Sequence, residues 1–69
     1  MEEKILKYME NCNGEVAINI IATLVTQTTI DRTYEMLCIL EQNGKIINTD
    51  KDSTKFIGPK MSKWKLANN

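Results

Sequence analysis

Residues 14–47 read GEVAINIIATLVTQTTIDRTYEMLCILEQNGKII, and this stretch decides the fold. Val16-Ala17 reads as a short strand. Ile18, Ile21, Ala22 and Val25 then fall on one helical face, which predicts a helix over 18–25. The run is rich in β-branched residues, so local propensity alone would also allow a strand there. Thr26-Gln27-Thr28-Thr29 is a polar turn. Thr28-Thr29-Ile30-Asp31 offers a helix start, with a threonine oxygen for a free backbone N–H and Asp31 near the positive helix end. The next helix runs from about Ile30 to Gln42, with Thr33, Met36, Leu37 and Leu40 facing inward. Asn43-Gly44 stops it.

The rest of the chain reads outward from this centre. On the N-terminal side, Ile5, Leu6, Tyr8, Met9 and Cys12 recur at helical spacing across 2–11. Asn11-Cys12-Asn13-Gly14 ends that helix through residues suited to a left-handed exit. On the C-terminal side, Lys45-Ile46-Ile47-Asn48 is a strand and Thr49 to Thr54 a polar tip. Lys55-Phe56-Ile57 extends the hairpin, Gly58-Pro59 is a turn, and Met61 to Ala67 is the returning strand. Ala67-Asn68-Asn69 is expected to fray. Helix, strand, helix, turn, helix and hairpin is the order of a winged helix-turn-helix. The expectation is one α+β domain over residues 1–69, with three helices and a small antiparallel β-sheet whose hairpin is the wing.

At 69 residues the chain lies near the lower limit for a self-sufficient core. Its apolar share of 42% is enough to form one. No window approaches the roughly 18 consecutive apolar residues of a membrane span. Acidic Glu2 and Glu3 lead the chain instead of the basic segment of a secretory signal. The expected location is therefore intracellular, cytoplasmic or nuclear. There is no histidine, the commonest general base, and neither cysteine has a partner base. A catalytic role, a metal centre and a cofactor are accordingly not expected. Cys12 and Cys38 alone cannot supply the four ligands of a structural zinc site. Both read as reduced thiols in helices.

The formal charge is zero overall, but it is unevenly spread. Residues 1–41 carry three cations against seven carboxylates, and residues 42–69 carry six lysines against two aspartates. The halves therefore differ in sign, at −4 and +4. A basic C-terminal third suits phosphate contacts that weaken steeply with salt. It equally suits a solvated hairpin whose lysines keep it off other sheet edges.

In a helix-turn-helix the second helix enters the major groove. Its outward residues here are Asp31, Arg32, Tyr34, Glu35 and Cys38. Arg32 and Tyr34 suit base or phosphate contacts, with partial packing against the first helix or the wing as the alternative for Tyr34. Asp31 and Glu35 do not suit phosphates, although a carboxylate can accept from cytosine N4. Arg32 and Glu35 also stand at ion-pair spacing, worth a few tenths of a kcal/mol. Lys55, Lys60, Lys63 and Lys65 lie on the wing. By strand alternation, Lys63 and Lys65 share the face opposite Trp64 and Leu66. Trp64 either covers the core or sends its indole N–H to a phosphate through water.

Glu3-Lys4-Ile5-Leu6-Lys7-Tyr8-Met9-Glu10, Gly14, Leu37, Leu40, Gly44-Lys45-Ile46 and Trp64-Lys65-Leu66-Ala67 together resemble the Z-alpha type of winged helix. The resemblance implies binding of left-handed Z-form DNA or RNA, with Trp64 at the contact. That family carries Asn and Tyr four apart on the recognition helix, and Pro-Pro before the wing Trp. Those positions hold Tyr34, Cys38, Met61 and Ser62 in this chain, and the wing is longer.

Three functions compete. The first is a DNA-binding winged helix, such as a small transcription regulator, contacting double-stranded DNA through Arg32, Tyr34, Lys55, Lys60, Lys63, Trp64 and Lys65. The second is a protein-interaction winged helix in a larger complex, for which exposed Ile20, Tyr34 and Ile39 would serve. The third is a homodimer joined through the wing or the first helix.

Overall fold

The computed structural model describes residues 1–12 and 14–67. Its elements, in order, are α1 (Glu2–Glu10), β1 (Val16–Ala17), α2 (Ile18–Ile21) continuing as a π-helical turn (Ala22–Thr26), α3 (Ile30–Gln42), β2 (Ile46–Asn48), α4 (Lys51–Ile57), a 3-10 turn (Pro59–Met61) and β3 (Lys63–Leu66). Over the described residues the chain is a small α+β fold with four α-helices and one three-stranded antiparallel sheet, ordered β1-β3-β2. This arrangement is compatible with a winged helix.

Local chemistry explains the well-read elements. Thr29 caps α3, its Oγ1 accepting from Arg32 N at 3.2 Å. At the other end Lys45 N bonds Leu40 O and Gly44 N bonds Glu41 O, each at 3.0 Å. Gly44 has φ +75°, so the helix closes in the left-handed glycine motif that satisfies its last carbonyls. Ile18, Ile21 and Ala22 are buried and Val25 half-buried, the face expected of α2. Its last turn widens to π geometry. Thr26 sits inward there, with its Oγ1 2.7 Å from that of Thr33, and Gln27 leaves the helix at φ +54°.

Behind the sheet, Ile5 and Met9 of α1, Ile18 and Ile21 of α2, and Leu37 and Leu40 of α3 pack with Ile46 and Trp64. Each such side chain contributes about 1.5–3 kcal/mol on burial. Met36, expected among the inward residues of α3, is only half-buried. The register sets Val16 and Asn48 on either side of Trp64 and Ile46 beside Leu66 on the inner face. Ala17 meets Lys63 and Ile47 meets Lys65 on the outer face. Lys63 and Lys65 thus share a face opposite Trp64 and Leu66, as strand alternation requires.

The long hairpin is where sequence and structure part. The expected polar tip and the strand extension Lys55-Phe56-Ile57 are instead α4, the fourth helix. The returning strand is shorter than expected, because Met61 belongs to the 3-10 turn. Asn48 starts this departure. Its Oδ1 accepts from Asp50 N at 2.9 Å, and its Nδ2 donates to Thr54 Oγ1 at 3.2 Å. Thr54 in turn bonds Asp50 O through both its amide and its hydroxyl. These bonds wind the chain into a helix as soon as it leaves β2. Asp52 in the first turn and Lys55 in the last both suit the helix dipole. Gly58, at φ +120°, stops it.

The exit from α1 agrees with expectation at Gly14, and the C-terminal end differs at Ala67. Gly14 takes φ +106° in the exit from α1, whereas Asn13 lies outside the described residues. Ala67, expected to fray, donates its amide to Lys45 O at 3.0 Å. Asn68 and Asn69 lie outside the described residues.

Candidate nucleic-acid interface

The periodicity of α3 divides it into three strips. Thr33, Leu37 and Leu40 are buried. Asp31, Arg32, Glu35, Ile39 and Gln42 are exposed. Between these lie half-buried Tyr34, Cys38 and Glu41, of which Tyr34 and Glu41 face the segment that carries α4. The exposed strip holds one cation against two carboxylates, with Ile39 among them. Such a strip does not attract a phosphate backbone by charge.

Tyr34 and Cys38 do not point outward as the sequence implied. Both pack against the core cluster. The Tyr34 ring meets Trp64 edge-on, with centroids 6.0 Å apart and planes at 66°, an aromatic pair worth about 0.5–1.5 kcal/mol. Burial first, and the Cys38 thiol second, raise the Tyr34 hydroxyl above the ordinary tyrosine pKa. It is therefore a neutral donor at physiological pH. The hydroxyl-bearing residue also lines a hollow with Glu41, Asn48, Lys51, Thr54 and Lys55.

Two further hollows lie at the start of α3. One lies between Thr29-Ile30-Asp31 of α3 and Ile57-Gly58-Pro59-Lys60. The other turns around Ile30 and Lys60 to Ala17, Asn19, Met61, Ser62 and Lys63. Lys51 and Lys55 line the first of these hollows, Lys60 the second, and Lys60 and Lys63 the third. From α3, Glu41 lines the first and Asp31 the second. Among the described residues one ion pair forms, Lys51 Nζ to Glu41 Oε2 at 3.5 Å. Arg32 and Glu35 stand apart.

The sequence-derived site residues thus separate into groups. Lys55, Lys60 and Lys63 are exposed at these hollows. Arg32 is exposed on the free strip of α3. Lys65 is half-buried on the outer sheet face opposite Ile47. Tyr34 lines the first hollow. Trp64 is fully buried, and its indole Nε1–H donates to Ser62 Oγ at 2.8 Å. Ser62 Oγ donates onward to Pro59 O at 2.7 Å. That N–H is already used inside the protein, which favours the core role of Trp64 over a water-mediated phosphate contact.

Two features of this region escaped the sequence reading. Lys51 anchors α4 to the end of α3. Phe56, 84% exposed, and Ile57, 57% exposed, project from the last turn of α4. As a strand extension, Phe56-Ile57 would have placed one side chain inward. The signal for a helix was the Asp50-Lys51-Asp52-Ser53-Thr54 run, which lacks any alternation of apolar residues.

Cys12 and Cys38 are free thiols, each half-buried. Among the described residues no three metal-ligating side chains converge, and no helix is long and apolar enough to cross a membrane. Comparison with protein-family models, curated proteins and solved structures found no match to this chain.

Proposed function

We propose that this domain is a winged-helix-type module that binds double-stranded DNA, with a helix in place of the hairpin wing. The supporting observation is that Lys51, Lys55, Lys60 and Lys63 line hollows whose other walls come from α3 and its neighbours. Only the first of these is paired with a carboxylate. A small transcription regulator is the role such a module suits. The mixed charge of the exposed α3 strip argues that base reading by α3 is secondary. Arg32 is its one cation, and Asp31 and Glu35 favour only acceptor contacts such as cytosine N4. Affinity then rests on phosphates held by the α4–β3 segment.

The charge count bounds that affinity. Three phosphates held by Lys55, Lys60 and Lys63 give a slope of about −2.7 in log K against log salt, so binding falls about 40-fold between about 50 and about 200 mM salt. Anisotropy titration of a labelled duplex at two salt concentrations measures this directly. Lys55→Ala, Lys60→Ala and Lys63→Ala should each weaken binding across all sequences and reduce the slope by about 1. Absence of binding to any duplex at low salt would remove the proposal. A Z-prone duplex belongs in the same titration. Tyr34 and Cys38 occupy the positions of the family's Asn and Tyr but face inward, so equal affinity for B-form and Z-prone duplex is expected.

A second reading, docking to a protein, is favoured by a separate observation. Leu24, Ile39, Phe56 and Ile57 are each about half exposed or more, and Ile39 lies among the carboxylates of α3. Stable capture of a protein partner by a domain that binds no duplex would establish this reading instead.

A further inference from the structure

Phe56 is the most exposed large apolar side chain among the described residues. It stands on the last turn of a seven-residue helix, immediately after exposed Lys55 and before Ile57. Gly58 and then Pro59, Lys60 and Met61 follow, with Met61 also exposed. Nothing in the fold requires an aromatic ring there. The buried residue of α4 is Thr54, and the anchoring bonds of the segment come from Asn48, Asp50 and Thr54. The arrangement is an apolar tip flanked by unpaired cations, and the nearest carboxylate on the helix, Asp52, lies one turn back.

We infer that Phe56, backed by Ile57, is a wedge that enters the minor groove of duplex DNA and opens a base step. This rests on the duplex-binding reading above. Charge complementarity selects the occupant. Exposed Lys55 precedes the ring and exposed Lys60 follows it four residues on, so cations suited to the phosphates of a groove accompany an apolar ring suited to the base faces. Proteins that kink DNA insert Phe, Leu, Ile, Met or Pro side chains of this kind between base pairs. Pyrimidine–purine steps open most easily, so the wedge carries a sequence preference that needs no hydrogen bond to a base edge. It also separates the sources of affinity. The lysines supply a salt-dependent part, and the ring supplies a part that salt does not screen.

The experiment compares wild type, Phe56→Ala and Phe56→Leu on end-labelled duplexes, reading affinity by anisotropy and bending by end-to-end energy transfer. One duplex carries a central TA step and the other a central A-tract. Wild type is expected to bend the TA duplex and to prefer it. Phe56→Ala should lose about ten-fold in affinity, the bend and the TA preference, with its salt slope unchanged. Phe56→Leu, which retains an apolar wedge, should fall between the two. If wild type binds duplex and Phe56→Ala binds and bends it identically, the wedge is overturned while duplex binding stands. If Phe56→Ala loses affinity together with salt slope, the ring acts through the lysines, and the wedge is likewise overturned. A wild type that binds neither duplex at low salt removes the duplex-binding reading itself.

Discussion

α3 and α4 lie on either side of β2, and they are held in place by different physics. α3 has 13 residues and buries Thr33, Leu37 and Leu40 against the sheet and the other helices. α4 has seven residues and buries only Thr54. Its hold on the fold is a polar clasp of Asn48, Asp50 and Thr54, with the Lys51–Glu41 ion pair at its start. Glu41 Oε2 also accepts from Asn48 N at 3.0 Å, so one carboxylate serves both the outward backbone of β2 and the lysine of α4. The difference is instructive. Apolar packing uses up the inner side chains of α3, whereas a polar clasp leaves the apolar side chains of α4 free to face outward. The element that stabilises the fold and the element that presents its most exposed chemistry are distinct.

The comparison breaks most visibly at Trp64, which joins the two systems. Its ring fills the core, meets Tyr34 and holds Ser62 through its N–H. Trp64→Ala should cost about 3–5 kcal/mol, a large share of the stability of so small a domain. Denaturant unfolding followed by circular dichroism checks it. Cooperative unfolding at a near wild-type midpoint would show that the core does not depend on Trp64.

A smaller and more local effect is expected at the clasp. Thr54→Val keeps the volume but leaves the buried Asn48 Nδ2 without its partner, at a cost of about 1–3 kcal/mol. Because α4 buries little apolar surface, most of that cost should appear as local opening of residues 50–58 and not as a shift of the global midpoint. Amide hydrogen exchange distinguishes the two. Faster exchange at Thr54 and Gly58 with α3 unchanged is expected. Uniform acceleration through α3 would mean that the two helices open together.

Gly44 probes the junction between the systems. No atom lies within 4 Å of a Cβ built there, so Gly44→Ala adds no clash. Its φ of +75° is nonetheless left-handed, which costs a residue with a side chain about 1–2 kcal/mol. Thermal unfolding of that variant reads the cost. A wild-type melting temperature would mean that the closing turn of α3 relaxes without penalty.

These contrasts also mark what the chain disclosed before folding. The elements through residue 48 were legible because each carries a repeating apolar pattern with a stop beside it: Ile5 and Met9 before Gly14, Ile18 and Ile21 before the threonine turn, Leu37 and Leu40 before Gly44. α4 was not legible because its stability is not written as a pattern. Thr54 is its sole buried side chain, and the bond that selects it comes from Asn48, in another element. Tyr34 was left between two readings for a related reason. Helical spacing allowed it to face outward or to pack in part, and only the position of Trp64, 30 residues later in the chain, decides for packing. The lysines of the candidate interface were legible as a charge imbalance. Their placement around the hollows depends on α4 and was not.

The smallest expected effect tests that placement of Tyr34. Burial raises its hydroxyl pKa above the ordinary value of 10.0, so the folded state favours the neutral phenol more than the unfolded chain does. The sign follows by linkage. The contribution is fully present below about pH 10 and is lost as pH climbs through the raised folded pKa. Unfolding free energy should therefore decline above about pH 10. Tyr34→Phe has no proton to lose at that site and should decline less over the same interval. Tyr8 shifts in the same direction, again chiefly through desolvation, so the wild-type decline contains both residues and only the difference between the proteins reports Tyr34. Parallel pH profiles for wild type and Tyr34→Phe would place the hydroxyl in bulk water. The half-buried strip of α3 would then be as open to solvent as the strip bearing Arg32, and the contrast between α3 as scaffold and α4 as presenting element would weaken.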